Sequence, residues 1–265
     1  MIHLAARRFP GLAHRGPALF MLALMLLPMG LLSACRNQLQ EHQFQGSVLG
    51  TGYHLTLYAD LGERQREALE AGIQGELANI QRQGDLLLAT LTAAFGPYPG
   101  WLARAPEPLL DELVRLLHAL AVDRLTERLA EFDIGNAMVE VGGLVRARGA
   151  PPGREWRLSL EHVGLPGNGE APLVRLRDAA LVQRPAIRSG GEVLNGHRVL
   201  GVSVVASSAS EAQQRALWLA TGSGGVNVTA AKGLPSRDSA ARLVVETPQG
   251  IETHNTSALE PWLVH

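Results

Sequence analysis

This chain has one cysteine and one lysine in 265 residues, and it shows neither a basic excess nor a closely spaced histidine pair. A single thiol excludes an internal disulfide, so burial and hydrogen bonding must hold the fold. Lys232 is the only lysine, which excludes lysine from every other position. The formal net charge of −1 carries no electrostatic footprint for nucleic acid, and no such partner is expected. No histidine lies four residues from another, which removes the helical zinc pair. Gly222-Ser223-Gly224-Gly225 is not followed by Lys-Ser or Lys-Thr, so it reads as a flexible turn rather than a phosphate loop. Ser189-Gly190-Gly191 has no accompanying base in the sequence, which argues against a serine nucleophile.

What is present begins with that one thiol. Cys35 closes Leu31-Leu32-Ser33-Ala34-Cys35 behind an apolar run from Pro17 to Leu32, with Arg7, Arg8 and Arg15 ahead of it. This order resembles a bacterial lipoprotein signal, and the apolar run is too short for a comfortable membrane span. The alternative is an uncleaved helical anchor with an incidental cysteine. The resemblance divides the chain into a signal peptide over 1–34, a lipidated tether over 35–43 and a domain over 44–265. Removal of the signal leaves 231 residues with 21 basic and 25 acidic side chains, enough for a sizeable core. Diacylglyceryl and N-acyl groups on Cys35 would hold the protein to the membrane, facing the periplasm, where one chain alone holds only marginally. Arg36 rather than aspartate after the cysteine implies, by the same resemblance, the outer membrane.

Tyr53-His54-Leu55-Thr56-Leu57-Tyr58 alternates as a strand with one buried face. Leu69, Ile73, Leu77 and Ile80 recur at helical spacing within a helix expected over Glu63 to Leu87. Thr92 to Pro108 reads as a loop, and a second helix follows from Pro108 to Leu129 with acids near its start. After a turn at Ile134-Gly135-Asn136, residues Ala137 to Val145 read as one buried strand. Further strands are expected over Trp156 to Leu160, Leu173 to Leu176 and Val199 to Ala206, then a helix over Glu211 to Ala220. Arg242 to Glu246 and Ile251 to His254 form a terminal hairpin. Helices and strands mix without strict βαβ repeats, which gives a mixed α/β class, α+β in arrangement, with a largely antiparallel sheet and flanking helices.

Several stretches carry a resemblance in chain order. They are Phe44-Gln45-Gly46 with Leu49-Gly50-Thr51-Gly52-Tyr53, then Ala121-Val122-Asp123-Arg124-Leu125, then Asn136 to Gly143 with Val145-Arg146-Ala147-Arg148-Gly149, and last Ala186-Ile187-Arg188-Ser189-Gly190. Together they resemble the FAD:protein FMN transferases, or ApbE-type family, over Phe44 to Leu263. The resemblance implies that fold, a periplasmic lipoprotein, FAD and Mg²⁺ as cofactors, and transfer of FMN to a threonine of a flavoprotein acceptor with release of AMP. Such a reaction needs charge neutralisation on the phosphates and hard oxygen ligands for the metal.

By the same resemblance Leu49, Glu112, His118, Ser189 and Gly190 stand at flavin-binding positions, and Glu211 stands at a metal-ligand position. Leu49 replaces the family's methionine, Glu112 its aspartate, and His118-Ala119-Leu120 its lysine-glycine-tyrosine run; Arg115 falls where a carbonyl meets the metal. The family's aspartate and threonine, four apart on a late helix, correspond to Glu211 and Arg215. Glutamate can ligate magnesium, but a guanidinium has donors only. The His-Ile-Ile-Asp-Pro, Ala-Phe-Asp and Ser-x-Leu-Ser segments have no counterpart here. Three functions stay open, a divergent transferase, a non-catalytic relative that binds flavin or a protein partner, and a purely structural lipoprotein. Structural readings stand beside the functional ones: His118 as a core histidine, Gly142-Gly143 as a bulge or close packing, Asp123 as a helix charge or cross-helix pair, and Glu211 as an early-turn acid.

Overall fold

The computed structural model describes residues 39–96, 109–161, 163, 171–186, 198–221 and 240–264. Cys35, Ser189, Gly190 and the Gly222 turn lie outside them. The strands are β1 (Gln40–Val48), β2 (Thr51–Ala59), β3 (Ala137–Val141), β4 (Leu144–Arg148), β5 (Trp156–Ser159), β6 (Leu173–Leu176), β7 (Ala179–Pro185), β8 (Arg198–Ala206), β9 (Ala240–Thr247) and β10 (Gly250–Asn255). Eight of them form one sheet in the order β1-β2-β3-β4-β7-β8-β9-β10, every neighbouring pair antiparallel, while β5 and β6 pair separately. The helices are α1 (Glu63–Phe95), α2 (Leu109–Glu131) and α3 (Ala209–Thr221).

Alternation decides which side chains meet the helices. Tyr53, Leu55 and Leu57 of β2, Val139 and Val141 of β3 and Val182 of β7 face one core with Leu69, Ile73 and Ile80 of α1 and Val122 and Leu125 of α2. Residues one step along, such as Tyr58 of β2 and Leu181 of β7, with Val205 of β8, enter a second core under Trp156, Val174 and Leu176. A one-residue slip would exchange the two sets, so burial fixes the register. Each fully buried leucine contributes about 1.5–3 kcal/mol relative to exposure, and Leu55, Leu57, Leu69 and Leu125 are all at most 1% exposed. The middle of α2 is buried on several sides, which forces its polar residues to find partners.

Four boundaries differ from the sequence reading. The first helix continues to Phe95, because Leu86 to Leu91 and Thr92 to Phe95 hold no breaker before Gly96. Residues Gln40 to Gln43, expected in the tether, pair with Ala59 to Thr56 as the start of β1. Ala137 to Val145 is two strands joined at Gly142-Gly143, where both residues have positive φ, +58° and +80°. That is the backbone a tight two-residue hairpin demands. Strand β7 went unread because Ala179 to Val182 is buried on both faces and shows no alternation.

Registers place Leu49, Gly142-Gly143 and Arg184 at one end of the sheet. Tyr53 opposes Val141, Val141 opposes Leu144, and Val145 opposes Leu181. The turn at Leu49-Gly50, the turn at Gly142-Gly143 and the exit of β7 therefore lie together. The first residue of β1, Gln40, opposes Ala59 at the other end.

Candidate functional site

Leu49 and His118, which the sequence reading put near a flavin, are in contact. Leu49 holds a left-handed φ of 49°, rare for a branched side chain. Its carbonyl accepts from His118 Nε2 at 3.4 Å and its N–H donates to Gln81 Oε1 at 3.2 Å. The His118 ring also occupies the space beside Gly142, where a Cβ would stand 2.5 Å from Nδ1. Glycine is required there twice over, by the positive φ and by the ring. By contrast, a Cβ at Gly50 or Gly143 would meet no atom within 4 Å among the described residues.

Burial holds His118 below its ordinary value of 6.5, with Arg115 adding to the fall and the Leu49 carbonyl opposing it. The folded protein thus keeps a neutral ring while the unfolded chain takes up a proton. The stability this contributes is present above the ordinary value and is lost as pH falls below it. Between about pH 7.5 and about pH 5 the wild-type Tm should fall further than that of His118→Gln. Thermal melts of the two across that range check it, and equal slopes would remove the histidine from the account.

Glu112 meets partners that the sequence reading did not name. Arg184, at the end of β7, grips its carboxylate with both terminal nitrogens, Nη1 lying 2.7 Å from Oε2, and Gln213 Nε2 of α3 donates to the same oxygen at 3.3 Å. The Arg184 side chain is 4% exposed and that of Glu112 12%. Arg115, one turn along α2, is half-buried, and burial and the repulsion of Arg184 disfavour its charge against the attraction of Glu112 and Asp111. Arg184 Nε and Gln213 Oε1 are buried without a partner among the described residues. The sequence signal for Arg184 was its place just ahead of Ala186-Ile187, and Gln213 offered none.

Asp123 is neither a solvated charge nor a simple cross-helix pair. Its Oδ1 accepts from Ala209 N–H at 2.8 Å and its Oδ2 from Ser210 N–H at 2.9 Å, while Arg146 Nη1 donates to Oδ1 at 2.8 Å. One carboxylate from α2 caps the start of α3 and ties both to β4.

Glu211 lies apart from these groups. Its Oε2 accepts from Ser207 N–H at 3.3 Å and Ser207 Oγ at 2.6 Å, its own N–H donates to Ser208 Oγ at 3.2 Å, and Arg215 Nη2 stands 2.6 Å from Oε1. Both carboxylate oxygens are engaged by donors, and the residue one turn on supplies a positive charge. A magnesium ion does not fit this pair. Among the described residues no group of three or more histidine, cysteine, aspartate or glutamate side chains could hold a metal.

Comparison with known proteins agrees with this framework. Residues 116–187 match the model of the ApbE family, a span that includes His118, Asp123, Gly142, Arg146 and Arg184 but neither Glu112 nor Glu211. No curated protein matches the chain in sequence. The flavin transferase ApbE from Vibrio cholerae superposes with a TM-score of 0.60 at 16% identity, covering 85% of this chain and 100% of that one. The apo form of the Pseudomonas stutzeri flavinyl transferase ApbE gives 0.56 at 16% identity, over 85% and 97%. The ApbE protein of Thermotoga maritima gives 0.60 at 14% identity, over 85% and 100%. Over residues 116–187 the chain resembles the ApbE family, and its sheet-and-helix arrangement reproduces the ApbE flavin transferase fold.

Proposed function

We propose that this protein is a lipid-anchored envelope protein of the flavin transferase fold that binds a flavin nucleotide without carrying out magnesium-dependent transfer. The observation that carries the reading is the Glu211–Arg215 pair at 2.6 Å, where the resemblance calls for two oxygen ligands. Arginine there cannot coordinate a cation, and it neutralises the one carboxylate that could. Glu112 is likewise held by Arg184. The room beside Gly50 and Gly143 among the described residues supports retained binding at that end of the sheet. Attachment to the outer membrane through Cys35, with the domain in the periplasm, rests on Leu31 to Cys35 and on Arg36. Fatty-acid labelling that disappears in Cys35→Ser reports it.

The second reading is a divergent transferase acting on a flavoprotein acceptor, favoured by the family match and by the names of the structural relatives. Detergent-solubilised full-length protein mixed with FAD, with and without Mg²⁺, separates the two. The binding reading expects no AMP release and no Mg²⁺-dependent rise in Tm, because only a ligand that prefers the folded state stabilises it. Glu211→Asp with Arg215→Thr restores two oxygens on one helical face and should gain that rise. Mg²⁺-dependent AMP release by the wild type, abolished by Glu211→Ala, would establish the transferase instead.

A further inference from the structure

We infer that Arg242 anchors a binding site for a small oxyanion, a phosphate or carboxylate group, on the face of the sheet away from the helices. Ala241 and Leu243 of β9 point into the helix-side core, so Arg242 between them points the other way. It is 7% exposed, its Nε is buried without a partner, and among the described residues no hydrogen bond or ion pair reaches its guanidinium. Burial alone lowers its tendency to carry charge, with no carboxylate opposing it. A desolvated cation of this kind is costly unless something anionic joins it. Arg184, equally buried, shows the compensated case.

The neighbouring strands supply a polar row on the same face. Ser203 and Asn255 stand directly opposite Arg242 on β8 and β10, and Gln183 stands opposite Ser203 on β7. Ser203 Oγ donates to Gln183 Oε1 at 3.0 Å and Gln183 Nε2 donates to the Ser159 carbonyl at 3.0 Å, so both are held in place. Asn255 is exposed and completes the row with an amide donor. The nearby acids are committed elsewhere: Glu246 pairs with Arg198, and Glu252 serves Thr247 and His254. A guanidinium fork with an amide beside it suits a planar carboxylate or two phosphate oxygens. Glu112, Arg184 and the turns at Gly50 and Gly143 belong to the helix side, so this inference and the flavin reading can fail independently.

Thermal melts and calorimetry on detergent-solubilised full-length protein test it, with inorganic phosphate and acetate each titrated against chloride at constant ionic strength. One of the two oxyanions should raise the wild-type Tm by several degrees and saturate, and which one does so tells phosphate from carboxylate. Arg242→Met should lose that rise and melt above the wild type in chloride alone, because it removes a buried charge without a counter-ion. Asn255→Ala, at an exposed position, should fold normally and bind the same ion more weakly, which keeps the test decisive if the methionine variant does not fold. No saturable rise with either ion, or an equal rise in Arg242→Met or, failing that, in Asn255→Ala, overturns the inference.

Discussion

Arg184→Ala should cost about 3–5 kcal/mol of stability, the usual penalty for leaving one member of a buried ion pair alone. Glu112 would keep only the Gln213 amide at 3.3 Å, in a site where its side chain is 12% exposed. At about 2–4 °C per kcal/mol for a domain of this size, the fall in Tm is easily read. The double variant Glu112→Leu, Arg184→Met should recover most of that loss, since a well-packed apolar pair often replaces a buried ion pair without penalty. A denaturant series on the two single variants and the double gives the coupling energy directly. A loss under about 1 kcal/mol for Arg184→Ala would mean that water already reaches the pair.

Asp123→Ala should be nearly as severe, at about 2–4 kcal/mol, because three donors lose one acceptor. Removing a cap costs about 1 kcal/mol at an ordinary helix start. Here the Ala209 N–H is buried and Arg146, 22% exposed, would be left without its carboxylate. Asp123→Asn keeps one oxygen and should lose about half as much. Urea unfolding of these variants beside Arg146→Ala apportions the effect. An Asp123→Ala loss no larger than that of Arg146→Ala would show that the capping of α3 contributes nothing.

Asp123 also changes how the resemblance is read. The Ala-Val-Asp stretch that points to the family is a structural tie, since its carboxylate is fully used in joining α2, α3 and β4. The carboxylates that only the resemblance ties to flavin and metal, Glu112 and Glu211, are each met by an arginine. Asp123 thus serves the scaffold, while Glu112 and Glu211 each carry an arginine counter-charge.

Much of this was legible in the chain. Leu69, Ile73, Leu77 and Ile80 foretold α1, and Tyr53 to Tyr58 foretold β2 with its buried face, because a repeat of 3.6 or 2 is written within a few neighbouring residues. The antiparallel, mixed architecture followed from the order of such segments. So did the unsuitability of Arg215 as a metal ligand, which is a property of the guanidinium wherever it sits. The sequence could not show that Gly142-Gly143 turns the chain, since glycine permits several backbones and the choice falls to the strands on either side. Nor could it show that Glu112 would meet Arg184, 72 residues away, that Asp123 would cap a helix beginning 86 residues on, or that Arg242 would meet no carboxylate among the described residues. Such pairings depend on which elements become neighbours and in what register. That is settled by the summed burial of two cores, and only the tertiary structure records it.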